Sequence, residues 1–295
     1  MSITIAGKSV SAIGLGCATF GREINEQASY AMMDYAQAHG VTLFDTAAAY
    51  GAGVSERIVG NWLAAHPASS VVLATKLLPP YEPATLAKIL EESLCRLGVE
   101  TLDLLYLHHW HASVEGLALL TMLDRFVRSG KIRALGASNF TAAQLSAALR
   151  RQAEAGLARF QVVQHNHNFA VSDLTPELLD ICTANGIAIV TYSPLGAGFL
   201  TGKHRGGVQA GSRFAILPGH QDIYFQERSW RRLERLEAAA RRSGHNTVCL
   251  ALAWVLHSPQ VTSVLIGGRT PAHLDQAFAA QLLNDPKLLA EMQAE

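Results

Sequence analysis

Several features that would settle a class quickly are scarce in this chain. Cysteine is sparse: four in 295 residues, at Cys17, Cys95, Cys182 and Cys249, far apart and with no CxxC pair. In a chain this long, that spacing excludes a disulfide framework and reads as small core residues in a reducing compartment. Net charge is missing as well, since Lys plus Arg and Asp plus Glu are both 24. A neutral chain lacks the electrostatic footprint of a nucleic-acid binder or of a protein held on an anionic membrane. No uncharged apolar run approaches the length that spans a bilayer, and the opening MSITIAGKSV carries no apolar signal core. The expectation is a soluble cytoplasmic protein without nucleic-acid or membrane partners. No stretch rich in Pro, Ser or charge marks a boundary, so residues 1–295 read as one domain. No surface feature decides an oligomeric state.

What is present is apolar: 49% of residues are hydrophobic against 16% charged, ample for a large core. After a short hairpin expected to turn at Gly7-Lys8, one pattern repeats. Short runs rich in β-branched residues alternate with longer stretches of helical period. The expected strands are Ala12 to Ala18, Thr42–Ala47, Val71–Lys76, Leu102–His108, Ile132–Ser138, Phe160–Asn166, Ile187–Ser193 and Thr262–Gly267. Expected helices between them include 26–39, 55–65, 83–97, 114–129, 142–151, 173–185 and 246–257. The strands are nearly continuous apolar runs such as VVLAT and IAIV, as in parallel strands buried on both faces. Eight such strands alternating with helices predict an α/β (β/α)₈ barrel. Residues 198–224 break the rhythm and predict a long functional loop. The segment FQERSWRRLERLEAAARR mixes both charge signs at helical spacing and predicts an amphipathic surface helix.

In a barrel of this kind the reactive side chains collect at the C-terminal strand ends. Two of those ends carry charges on otherwise apolar strands, Asp45 and Lys76. Charges there are rarely fully buried unless paired. A structural ion pair is the plain reading. Tyr50 and His108 at neighbouring ends extend it: a lysine beside a phenol favours tyrosinate and lowers its pKa, and an aspartate keeps that lysine charged. Such a phenol is a proton donor.

Six strand-end segments, FDTAAAYG, ATK, DLLYLHHW, GASNF, VVQHN and TYSPLGAGFLTGK, together resemble the successive motifs of the aldo-keto reductase superfamily, in its order, from Gly14 to about Ala280. The resemblance implies a (β/α)₈ TIM barrel whose base is closed by the N-terminal β-hairpin, with a long loop covering a cofactor. It implies that Asp45, Tyr50, Lys76 and His108 are a catalytic tetrad reducing an aldehyde or ketone with a nicotinamide cofactor. Tyr50 would be the general acid, Lys76 held by Asp45 would tune it, and His108 would orient the carbonyl. His109 competes for that last role if the register slips by one. Trp110 would line the substrate pocket, with packing as the alternative.

For the cofactor, the resemblance implies Ser138, Asn139 and Gln164 at the nicotinamide carboxamide, Tyr192 stacked on its ring, and Ser193, Leu195, Gly196 and Gly198 along the pyrophosphate. The alternative for Ser138-Asn139 is a helix cap. Gly267, Arg269, Thr270, His273 and Gln276 would meet the adenosine half, and Arg269 with His273 favours NADPH/NADP, NAD being the other candidate. Here the chain departs from the family pattern: Gln276 stands for the usual glutamate, Ala277 for asparagine and Ile266 for proline. Gly51-Ala52-Gly53 reads as a loop into a helix capped by Ser55. Two rival classes follow. One is a cofactor-binding sensor or accessory subunit on the same fold. The other is a metal-dependent hydrolase using His109, His111, His165 and His167 with Asp45.

Overall fold

The apolar runs form eight parallel strands closed into a barrel, in the order β10-β3-β4-β5-β6-β7-β8-β9. These are β3 (Ile13–Gly16), β4 (Leu43–Asp45), β5 (Val72–Leu77), β6 (Leu102–Leu107), β7 (Ile132–Ser138), β8 (Phe160–Asn166), β9 (Ala188–Tyr192) and β10 (Ser263–Ile266). The architecture is seen in a computed structural model that describes residues 4–66 and 71–293. Each expected strand lies within two residues of the observed one. The barrel is a (β/α)₈ TIM barrel with its helices on the outside.

Alternation along the strands gives two cores. Inward residues Leu43, Val72, Ala74, Leu104, Tyr106, Ala134, Val162, Val190 and Leu265 fill the barrel. Outward residues such as Phe44, Leu73, Leu105, Leu135, Val163 and Ile189 join the larger core beneath the helices. Gly136 makes room inside: a Cβ there would lie 2.3 Å from Tyr106 Cδ1. Successive strands offset these layers, as a tilted, staggered barrel requires.

The hairpin β1 (Thr4–Ile5) and β2 (Lys8–Ser9) closes the base, with Ile5 and Val10 capping the inner core. Its turn is Ala6-Gly7, both at positive φ, so Lys8 opens the second strand rather than completing the turn. Lys8 Nζ reaches Asp103 Oδ2 at 2.9 Å and the Val71 carbonyl at 2.8 Å.

The helices are α1 (Glu26–Ala38), α2 (Val54–Ala65), α3 (Pro83–Leu97), α4 (Leu117–Arg128), α5 (Ala142–Glu154), α6 (Pro176–Asn185), α7 (Arg213–Ile216), α8 (His220–Tyr224), α9 (Glu227–Ser243), α10 (Thr247–Leu256), α11 (Ala272–Gln281) and α12 (Pro286–Gln293). Three differences from expectation have local causes. The stretch 114–129 divides into a 3₁₀ turn, Ala112–Glu115, and α4, because His111 starts the turn by accepting the Ser113 N–H and the extended backbone of Gly116 ends it before α4 begins. α6 begins at Pro176, not 173, because Thr175 caps it through Leu178 N and Asp173 N donates to Asn166 O. The long loop is not bare: a 3₁₀ turn at Gly196–Thr201 leads into α7 and α8. Among the described residues no helix is long and apolar enough to cross a membrane.

Candidate active site

The inward set continues upward past the last apolar layer. Two residues beyond Leu43, Ala74, Tyr106, Gly136, Val162 and Val190 come Asp45, Lys76, His108, Ser138, Gln164 and Tyr192. Pleat alone therefore brings six polar side chains from six strands together at the C-terminal mouth.

Lys76 is fully buried, and Asp45 is 2% exposed. The Lys76 ammonium donates to Asp45 Oδ1, to the Thr46 carbonyl at 2.9 Å and to the Tyr50 hydroxyl at 3.4 Å. Gln164 Nε2 donates to the other Asp45 oxygen at 2.8 Å. Burial opposes the ammonium, but Asp45 and Tyr50 outweigh it and hold Lys76 above its ordinary pKa. Tyr50 sits on a 3₁₀ turn, Tyr50–Gly53, in which Gly51, Ala52 and Gly53 all have positive φ. Its phenol departs from the expected direction. Burial raises its pKa, and although Lys76 pulls it down, the net shift is upward. The hydroxyl is thus firmly protonated at neutral pH, as a proton donor must be.

His108 meets the Tyr50 ring edge-on, with centroids 6.0 Å apart. Burial, with Lys76 and His109 nearby, lowers its pKa to about 3, so the ring is neutral. Its Nδ1 is buried without a hydrogen-bond partner in the protein. His109 stacks on it in parallel at 4.8 Å. The Tyr81 hydroxyl fixes the His109 backbone, donating to its carbonyl at 2.7 Å and accepting from its N–H at 3.1 Å. No register slip occurs: β6 pairs Tyr106 with Lys76 and Gly136, which leaves His108 inward.

Tyr50, His108 and His109 line a cavity of about 860 Å³. Of the residues expected at a cofactor, Ser138, Asn139, Gln164, Tyr192, Ser193, Leu195, Gly198, Gly267, Arg269, His273 and Gln276 line the same cavity. Asn139, at φ +60°, is locked: its amide donates to His108 O at 3.0 Å, and its oxygen accepts from the Tyr192 hydroxyl at 2.8 Å. The Ser138 hydroxyl donates to Gln164 O at 3.0 Å. Neither is a helix cap, because Thr141 caps α5 with Gln144 in a capping box. Ser193 and Ala197 share positive φ with Gly196 and Gly198, so the backbone after β9 turns tightly along the cavity wall. Gly196 itself lies beneath Tyr224, where a Cβ would be 3.0 Å from the ring.

Two site candidates lie off the cavity lining, and one expected cap is corrected. Trp110 is not among the residues lining the cavity; it is half-buried against the outer core. Thr270 is exposed and likewise off the lining, its N–H donating to His273 Nδ1 at 3.3 Å. Ser55 does not cap α2, whose N-cap is Gly53. Its hydroxyl donates instead to Cys17 O at 2.8 Å. His273 also takes the Arg269 N–H at 3.2 Å, and burial lowers its pKa, so it adds no charge beside Arg269. The histidine pairs do not converge: His111 bonds Ser113 and His167 bonds Ser172. Among the described residues no three His, Cys, Asp or Glu side chains are placed to hold a metal ion.

Sequence reasoning missed a charged rim. Glu23, on the loop after β3, takes Arg213 of α7 at 2.6 Å and Arg22 at 2.8 Å, and all three line the cavity with Lys203 and His220. Glu23 and Arg213 are 190 positions apart, and no local pattern links them.

A profile of the Aldo/keto reductase family matches residues 12–292. Similar proteins include the uncharacterized oxidoreductase YrpG of Bacillus subtilis (strain 168), 31% identical over 96% of this chain and 91% of its own length. The aldo-keto reductase yakc [NADP(+)] of Schizosaccharomyces pombe (strain 972 / ATCC 24843) is 29% identical over 94% of this chain and 85% of its own. The NADH-specific methylglyoxal reductase of Escherichia coli (strain K12) is 29% identical over 86% and 83%.

Proposed function

The chain belongs to the aldo/keto reductase family and is a carbonyl-reducing oxidoreductase; from that premise we propose that it reduces an aldehyde or ketone to an alcohol with Tyr50 as proton donor. The observation that carries this reading is the buried Asp45–Lys76–Tyr50 chain opening into a cavity beside a neutral His108. Acid catalysis by a positioned side chain contributes about 10²–10⁴-fold.

The cavity fits a nicotinamide dinucleotide. Its volume of about 860 Å³ falls in the upper part of the roughly 300–1,000 Å³ usual for ligand sites. Glycines 16, 198, 211, 267 and 268 line it, and Lys203 and Arg269 bring positive charge to it. When bound, the cofactor supplies the hydride. Ser138, Asn139 and Gln164 would hold its carboxamide, Tyr192 its ring, Ser193, Leu195 and Gly198 its pyrophosphate, and Gly267, Arg269, His273 and Gln276 its adenosine half. We favour NADP(H), because the Arg269 guanidinium suits a 2′-phosphate, although one relative's name specifies NADH.

At the reacting end, Tyr50 gives its proton to the carbonyl oxygen. Lys76 offers fixed positive charge beside that oxygen, and Asp45 keeps the ammonium in place. His108 is neutral, so it orients the carbonyl by an N–H without adding charge. His109, beside it on the cavity wall, meets the rest of the substrate. Small sugars and aliphatic or aromatic aldehydes are the candidates, and we place the protein in the cytoplasm.

The test is loss of NADPH absorbance with purified protein and a reactive aromatic aldehyde, NADH in parallel and EDTA in both. Turnover indifferent to EDTA and faster with NADPH is expected. Turnover abolished by EDTA would contradict the reading, and a faster NADH reaction would reverse the cofactor preference.

A further inference from the structure

Two buried polar residues in the first turn of α2 have no part in the chemistry above. Ser55 and Glu56 are both fully buried. They hook two threonines, also fully buried: Thr46, one residue past the end of β4, and Thr75 on the outer face of β5. Thr46 Oγ1 and Ser55 Oγ are 2.8 Å apart, and Ser55 passes its own proton to Cys17 O at 2.8 Å. The Thr75 hydroxyl donates to Glu56 Oε1 at 2.6 Å, and Arg96 Nε of α3 donates to Oε2 at 2.6 Å. Every acceptor oxygen of Glu56 therefore has a donor.

The identity of the hooked residues matters. Thr46 follows Asp45, and Thr75 precedes Lys76. Because strand residues alternate in direction, an outward threonine fixed from behind fixes its inward neighbour. Thr46 is tied twice, since its carbonyl accepts from Lys76 Nζ. Tyr50 is joined to the same helix by a short turn with three residues at positive φ. Behind that turn lies Arg96: a Cβ on Gly53 would sit 2.8 Å from its Cδ and Nε. The place where α2 begins thus decides where the phenol stands relative to the ammonium.

We propose that Ser55 and Glu56 are positioning residues, which register the Tyr50 turn against the strands carrying Asp45 and Lys76. The proposal rests on the reading of Tyr50 as proton donor. It concerns distance between groups and not their identity. The charged and titratable groups facing Tyr50 are Asp45 on β4, Lys76 on β5, His108 after β6, Tyr192 on β9 and Arg213 on α7. Thr75→Val and Ser55→Ala replace none of these side chains.

The experiment measures kcat, KM and the pH–rate profile of aldehyde reduction for the full chain, its Thr75→Val, Ser55→Ala and Thr75→Ser variants, and Tyr50→Phe. Cofactor affinity by fluorescence and melting temperature are read alongside. We expect kcat to fall between about 10- and 100-fold in Thr75→Val and Ser55→Ala, the scale on which misplacement of a reacting group acts. KM and cofactor affinity should hold. The alkaline limb should move to higher pH, because the phenol loses part of the lysine's pull. Thr75→Ser, which keeps the hydroxyl, should restore kcat. A lower melting temperature with kcat and the alkaline limb unmoved in both variants would overturn the proposal, leaving only a structural role. Turnover surviving in Tyr50→Phe would instead overturn the reading beneath it.

Discussion

The barrel holds a lysine–aspartate pair at each end, fully buried at the mouth and partly buried at the base, and the two pairs do different things. At the base, Lys8 reaches Asp103, whose carboxylate also takes the Leu73 N–H at 3.0 Å and lies 3.7 Å from Arg133. The partners described there are backbone groups and the Arg133 guanidinium, and the pair seals the hairpin onto the barrel. At the mouth, Lys76 holds Asp45 but also touches a phenol, and the phenol faces a cavity. A buried ion pair is therefore weak evidence of chemistry by itself. A titratable third partner and an opening to substrate separate the two.

That contrast can be broken by substitution. Lys76→Met would strand Asp45, which is buried and, among the described residues, would keep only the Gln164 amide. Turnover should fall by about 10²-fold or more, and unfolding by urea should show a loss of roughly 3–5 kcal/mol. Wild-type stability in this variant would mean that Asp45 is not charged in the native protein. A second difference between the regions is their response to acid. His165 and His167, on and just beyond the last residues of β8, are buried, and burial lowers the pKa of each to about 4. Between their ordinary value near 6.5 and that value, the unfolded chain binds more protons than the folded one. Stability is then fully present above pH 7 and drains away as pH falls toward 4, by on the order of a few kcal/mol in all. Urea midpoints at pH 7 and pH 5 test this before carboxylates titrate, and equal midpoints would refute it. The smallest effect is expected at the base. Lys8→Met should cost only about 1 kcal/mol, because Asp103 keeps the Leu73 N–H and Arg133, and kcat should not change. A loss of turnover there would erase the distinction between the two ends.

Much of the site could be read from the sequence because period-2 alternation and strand ends are local properties. Asp45, Lys76, His108, Ser138, Gln164 and Tyr192 were all findable as the polar residues that end apolar runs. What could not be read depends on contacts between distant segments. Ser55 looks like a cap by residue type and position, yet Gly53 at φ +86° already begins the helix, which frees the hydroxyl to tie Thr46 and Cys17. Trp110 is one residue past His109, but the chain has left the strand there, so alternation no longer predicts its direction. The Glu23–Arg213 ion pair joins two loops that no periodicity relates. α11 and α12 went unpredicted: α11 starts at Ala272, and Pro271 before it offers no side-chain cap to announce it. The upward shift of the Tyr50 pKa was also out of reach, because burial, and not the neighbouring lysine, dominates it.

The measurement that tests the central claim most directly is Tyr50→Phe, with aldehyde-dependent oxidation of NADPH and binding of NADPH followed on the same preparation. The phenol touches Lys76 at 3.4 Å and has no other hydrogen bond among those described, so its removal should leave the fold and the cofactor site intact. Turnover lower by about 10²–10⁴-fold with unchanged cofactor affinity is the predicted result. Turnover within a few-fold of wild type, or cofactor binding lost together with turnover, would contradict the assignment of Tyr50 as proton donor.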